Sequence, residues 1–358
     1  MSNMIYTNDN SDDDYLLGKD DILTSIRYKL TLFACVICVI VFGSTASILI
    51  PICTIYIPSS YAIVLISTVE IAIFFAFVLI FIYIKIDPYI FNVDDFSSKI
   101  VLIFAGIFCS LMVIAKIYAS NPNRTSPIMQ STLVSTTIVF TVIFSKILLK
   151  KEITYKWICI GLSILALIGS VLLPLIYELL NSHISGEFKW ILCYQFGVIC
   201  RGLYTTLQEK YFLVTNDFTT CNKIKLLFYV SIIQLICVIP GYGFEYILSN
   251  STNPGIELLN STKIIFTVPI AALTFHGFIF SYILYLGFSI WLNTISSNFV
   301  MMASVVITPA VTIFFVIFKN IVTSIEFPLY IIIPSLISSL ISTVLWIYGE
   351  NNTRVIIE

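Results

Sequence analysis

The chain has 358 residues, 58% of them hydrophobic and only 11% Asp, Glu, Lys or Arg, with a mean hydropathy of +0.99. Soluble domains carry about 25% charged residues, so an ordinary cytosolic protein is excluded, and 19 basic against 20 acidic residues leave no electrostatic footprint for nucleic acid. A polytopic membrane protein in contact with lipid remains, since at about 20 apolar residues per span the length holds roughly ten spans with short connections.

Residues 1–28 form an acidic tail with Asp9, Asp12, Asp13, Asp14, Asp20 and Asp21. A basic stretch ahead of the first apolar run is missing, so the start does not read as a cleavable signal peptide and the first span is expected to stay as an anchor. Asp12 stands four places before Leu16-Leu17. That pattern resembles the dileucine signals that adaptor proteins read on cytosolic tails when sorting proteins to endosomes and lysosomes; chance juxtaposition fits the same residues. Apolar runs then predict ten helices, at 29–51, 61–84, 98–119, 126–148, 156–177, 189–209, 225–248, 269–291, 297–318 and 327–348. They divide into a first five-helix unit at 29–181 and a second at 186–348, followed by a short tail at 349–358.

The basic residues set the orientation. With the N-terminus in the cytoplasm, thirteen Lys and Arg fall on the cytoplasmic side, five on the other, and Arg201 lies within a span. Both termini are therefore expected to be cytoplasmic. The two Asn-Ser-Thr sequons at Asn250 and Asn260 follow the seventh span and fall on the far side, as glycosylation requires, although such tripeptides also arise by chance.

Several chemistries lack their residues. His183 and His276 are the only histidines and form no H-x-x-x-H or H-E-x-x-H, so no metal or other cofactor is expected. The nine cysteines lie mostly in apolar runs and read as inert packing residues. No nucleotide-binding glycine loop, G-x-S-x-G elbow or intramembrane Asp pair occurs, which argues against an ATP-driven pump and against an enzyme.

The fourth and ninth predicted spans resemble each other. At an offset of 173 residues Met129 aligns with Met302, Ser131 with Ser304, Val134 with Ile307, Ser135 with Thr308, Ile138 with Val311 and Lys146 with Lys319. Two units of five spans enter the membrane from opposite sides, the inverted-repeat design of many secondary transporters, with substrate held near the midplane. The expected fold is thus an all-α membrane protein of two inverted five-helix repeats.

Ionisable groups at mid-bilayer normally face the bundle interior or a wet cavity. Glu70 and Arg201 are nearest the midplane, in different halves, and their pairing would bridge the cavity; a purely structural ion pair is the plainer reading, and a third is that the two do not meet. Glu70 is the first candidate for proton coupling and His276 the second, against the ordinary role of a packed histidine. Gln130, Ser131, Ser135 and Thr136 share roughly one face of span 4, as Ser304 and Thr308 do in span 9, and Gln234 adds an amide from span 7. These, with Arg201, are the candidate cavity residues, although small hydroxyl side chains also serve helix packing. Lys116 and Arg124 could attract an anion, but Lys116, near a helix end, is expected to snorkel to the interface.

Three stretches are similar to the chloroquine resistance transporter-like family of the drug/metabolite transporter superfamily. Ile128-Met-Gln130-Ser131 with the Lys150-Lys-Glu-Ile turn resembles that family's helix 4 region; Val230-Ser-Ile-Ile-Gln-Leu235 with Pro240 resembles its helix 7; Thr308-Pro309-Ala310 stands where the family has Gly-Pro-Ala. Residues 249–262 lack the cysteines that known members carry in that loop, so no disulfide brace is expected there. The resemblance implies a secondary carrier in a vacuolar, lysosomal or endosomal membrane, exporting amino acids, short peptides or organic cations with protons. The alternative is a nucleotide-sugar or related antiporter of the Golgi or endoplasmic reticulum in the same superfamily.

Overall fold

The computed structural model describes residues 11–86, 88, 91, 96–150, 176, 188–243, 253–295 and 297–318, with isolated positions 333, 337 and 341. These fold into helices, with no strand among them: α1 Ser11–Tyr56, α2 Ser60–Lys85, α3 Phe96–Ala119, α4 Pro127–Ser135, α5 Thr137–Leu148, α6 Phe188–Thr215, α7 Thr220–Val238, α8 Pro254–Thr267, α9 Pro269–Asn293 and α10 Ser297–Ile317. Six segments are long and apolar enough to cross a membrane: Lys29–Tyr56, Ser60–Lys85, Phe96–Ala119, Pro127–Leu148, Thr220–Gly241 and Pro269–Asn293. The chain is therefore a multi-pass membrane protein, helical over its described residues. Apart from Ile176, Ile333, Ile337 and Ile341, the expected fifth and tenth spans lie outside the described residues, as do Asn250, His183 and the side chains of Asp12, Leu16 and Leu17, whose backbone opens α1.

Helix starts follow local chemistry. Ser59, Ser126 and Thr219 each turn a side-chain oxygen onto a free backbone N–H of the first turn of α2, α4 and α7. Pro127, Pro254 and Pro269 occupy first-turn positions, where the missing N–H costs nothing. The outer face of α2 carries exposed Phe77, Phe81 and Ile84, the apolar surface that lipid covers. The eight described cysteines are free, including Cys35 and Cys38, which stand at C-x-x-C spacing inside α1.

Three departures from the expected spans have physical causes. The fourth is interrupted at Thr136, where Ser131, Thr132, Ser135, Thr136 and Thr137 each donate to the carbonyl three residues back. Hydroxyls competing for ladder carbonyls bend and break helices, and Gln195 Nε2 donates to Thr136 Oγ1 at the break, 3.0 Å away. In the second departure, the segment after span 7 contains a helix, α8, rather than an open loop. Pro269 ends it, since proline disfavours helical backbone in the residue before it, and Val268 is extended at φ −95° and ψ 113°. Asn260 is exposed on α8, but Ser261 beside it is buried and accepts the Ser59 N–H at 3.0 Å. The third departure is α6, which is not among the six apolar segments and carries Lys189, Arg201, Glu209 and Lys210. It packs against α3, α4, α5, α9 and α10, burying Arg201, Gln208 and Glu209, while Lys189 at its start is exposed.

Close helix approach brings the interior together. An added methyl at Gly106 of α3 would stand 2.5 Å from Ile233 Cβ of α7, so only glycine allows that crossing. At Gly197 of α6 the added methyl would lie 2.7 Å from Lys116 Cγ, and its absence gives the lysine stem its groove. α4 and α5 lie along α10, joined by Ser131–Thr312 (2.8 Å) at one end and Ser145–Ser297 (3.2 Å) at the other. These two contacts make the pairing antiparallel.

Candidate functional site

A cavity, part of it open to the outside, lies among the described helices and is lined from α1, α2, α3, α6, α7, α9 and α10. Its most polar wall is α6, which presents Arg201, Tyr204, Thr205 and Gln208 over two turns. These positions recur at three- and four-residue spacing and so share a face.

Arg201 is buried at 8% exposure. Its guanidinium donates to the hydroxyl of Tyr285 on α9 and to Ser304 Oγ on α10, the latter at 2.9 Å. The Tyr285 and Ser304 oxygens lie 3.3 Å apart, closing a triangle contributed by three helices. The guanidinium carbon is also 5.5 Å from the centre of the Tyr285 ring, within cation–π range. Along α9, Phe278, Tyr282 and Tyr285 stack in sequence, with centroids 5.8 and 6.1 Å apart, and all three line the cavity.

Lys116 enters the same cavity from α3, with Nζ 5.5 Å from the Tyr194 ring centre. The expected snorkelling to the interface is thus corrected: Gly197 opens a path for its stem along α6, and the ammonium points into the interior space. Arg124 is tied down instead, donating to the Tyr118 carbonyl at 2.7 Å and lying 4.2 Å from the Trp190 ring centre.

Gln234 lines the cavity from α7 and donates to Thr68 Oγ1 at 3.2 Å while accepting from Cys109 Sγ at 3.3 Å. At the α6 C-terminal side, Gln208 donates to the Tyr204 hydroxyl at 2.6 Å and accepts from Asn293 Nδ2 at 2.8 Å. Below it, buried Glu209 accepts both the N–H (2.9 Å) and the O–H (2.6 Å) of Ser297, capping the start of α10.

The remaining candidates divide between a smaller adjoining cavity and the periphery. Gln130, Ser131 and Thr308 line a space of about 270 Å³ that shares Ser47 and Ile307 with the central one. Gln130 spends its amide hydrogens on the carbonyls of Ser120 (2.8 Å) and Thr125 (2.7 Å), holding the α3–α4 connection. Ser135 is buried and donates within its own helix. Glu70 and His276 lie outside both cavities and meet each other, Oε2 to Nδ1 at 3.3 Å, between α2 and α9 with 29% and 43% of their side chains exposed. The pairing of Glu70 with Arg201 is therefore corrected. Arg201 points inward to hydroxyls, whereas Glu70 sits on a face of α2 turned toward α9.

The tyrosine and phenylalanine wall is not singled out by the sequence, and Lys116 is singled out there only as a residue reaching outward. The wall's signal was the spacing of Phe278, Tyr282 and Tyr285, which matches that of an ordinary packing stripe. No protein-family model matches the chain, and no curated protein matches it.

Proposed function

We propose that the chain is a secondary active carrier, not an enzyme, that moves small organic solutes through the central cavity by alternating access of two five-helix halves. The observation that carries this reading is the cavity: a space lined by tyrosine, amide and basic side chains, at the centre of apolar helices and bounded by both predicted halves. Membrane proteins place such groups inward where they mark a solute path.

The inverted repeat draws support from the register of α4 against α10. Four residues along α4 from Ser131, and four back along α10 from its partner Thr312, stand Ser135 and Thr308. These are the two residues aligned by the sequence repeat, and aligned residues face each other where a two-fold axis passes between antiparallel helices. Packing follows the same exchange: α3 lies on α6 and α9 on α1; α6 lies on α5 and α1 on α10.

Within this proposal the chain belongs with the chloroquine resistance transporter-like carriers, in a vacuolar, lysosomal or endosomal membrane, with both termini cytoplasmic and proton-driven export to the cytosol. The Glu70–His276 pair is the coupling element, because protonating either partner changes an interaction between helices of different halves. Uptake into proteoliposomes under an imposed pH gradient tests the reading, with saturable counter-flow expected and single-channel currents excluding it. Glu70→Gln is expected to abolish pH-gradient-driven uptake while sparing counter-flow; undiminished driven uptake removes Glu70 from the coupling. The nucleotide-sugar antiporter is the second reading, favoured by the two basic side chains that line the cavity.

A further inference from the structure

We infer that the solute is an organic anion, with its carboxylate or phosphate held by Lys116 and Arg201 and its apolar body against the ring wall of α9. This rests on the reading of the central cavity as a solute site. Among the described residues two basic side chains, from α3 and α6, line that cavity, and no Asp or Glu does. Among the described residues neither cation has a carboxylate partner. Arg201 donates to the side-chain oxygens of Tyr285 and Ser304, and Lys116 faces the Tyr194 ring. The described carboxylates nearest in the chain are engaged elsewhere, Glu70 with His276 and Glu209 with Ser297.

Charge enclosed without an opposite charge is costly, and an entering anion supplies what the protein leaves out. A cationic solute would add a third positive charge to a space with no acidic group among its described lining residues. The remaining lining fits the rest of such a molecule: Phe278, Tyr282 and Tyr285 offer stacked rings, while Gln208 and Gln234 offer amides. A guanidinium already oriented by two hydroxyls loses little freedom when an acid group binds.

The test uses the purified full-length chain in detergent and four probes sharing one aromatic body: N-acetylphenylalanine, phenyl phosphate, phenylalaninamide and N-acetylphenylalanine methyl ester. Equilibrium dialysis is expected to show the two anions binding at least about tenfold more tightly than the cation and the neutral ester. The ratio between the carboxylate and the phosphate identifies which acid group the site takes. Lys116→Met and Arg201→Gln are each expected to weaken the better anion about tenfold, and Arg201→Lys to retain most of the preference for anions over the amide. Thermal unfolding of each variant checks that it folds, and the probe ranking in the unaltered chain stands without any variant.

Equal binding of all four probes, preference for the amide, absence of binding, or full anion affinity in folded Lys116→Met and Arg201→Gln overturns the inference. Anion binding without counter-flow in proteoliposomes upholds the anion site and removes the carrier. Counter-flow of phenylalaninamide but not of either anion does the reverse.

Discussion

A single charge among apolar residues has few ways to be stable, and in this protein each buried one is resolved differently. Arg201 is met by hydroxyls and a ring face, which engage its Nη2 while keeping its charge available. Glu209 is met by backbone and hydroxyl donors at the start of α10, where the helix dipole also favours an anion. Removing an acceptor that serves two buried donors leaves both unsatisfied. Glu209→Ala is therefore expected to lower stability by about 1–3 kcal/mol, and Glu209→Gln by less; thermal unfolding in detergent with equal lipid content measures both. Arg201 was legible from sequence because it stands alone in an apolar run. Lys116 was not, since a lysine near a helix end ordinarily reaches outward, and its inward course depends on Gly197 of another helix.

At the scale of elements, close crossings decide how the cavity walls meet. Ile233 leaves no room for a side chain at position 106, and its branched Cβ cannot rotate out of the way. Gly106→Ala is expected to cost about 1–3 kcal/mol through overpacking, seen as a lower unfolding temperature. Adding Ile233→Ala should restore part of it; a single variant as stable as the unaltered chain would refute the crossing. The interruption at Thr136 and the helix α8 show where hydropathy reading loses detail. An apolar run sets the length of a span, whereas the Ser/Thr hydroxyls of α4 and the proline at 269 set where its backbone ladder stops.

For the molecule as a whole, the α4–α10 pair is the contact that an alternating motion of two halves must strain. Ser131 and Thr312 meet near one end of the helix pair, and Ser145 and Ser297 near the other. A Ser131→Cys/Thr312→Cys pair, oxidised in proteoliposomes, is expected to stop counter-flow, and reduction to restore it. The free native cysteines make the unaltered chain, treated identically, the necessary control. Full flux through the cross-linked protein would show that opening does not separate this contact.

Charge scarcity and apolar run length determined by themselves that the chain is a helical, multi-pass membrane protein, because hydrocarbon admits few charges and requires internally bonded backbone. Sequence also singled out Arg201, Gln234 and the Ser/Thr faces of spans 4 and 9, since polar groups are conspicuous against such a background. Only the tertiary structure decided which of them share a space. It joined Arg201 to Tyr285 and Ser304, drew Lys116 inward, and paired Glu70 with His276. Those outcomes depend on which helix faces meet, and helix contacts 84 to 206 residues apart in the chain leave no local periodicity to read.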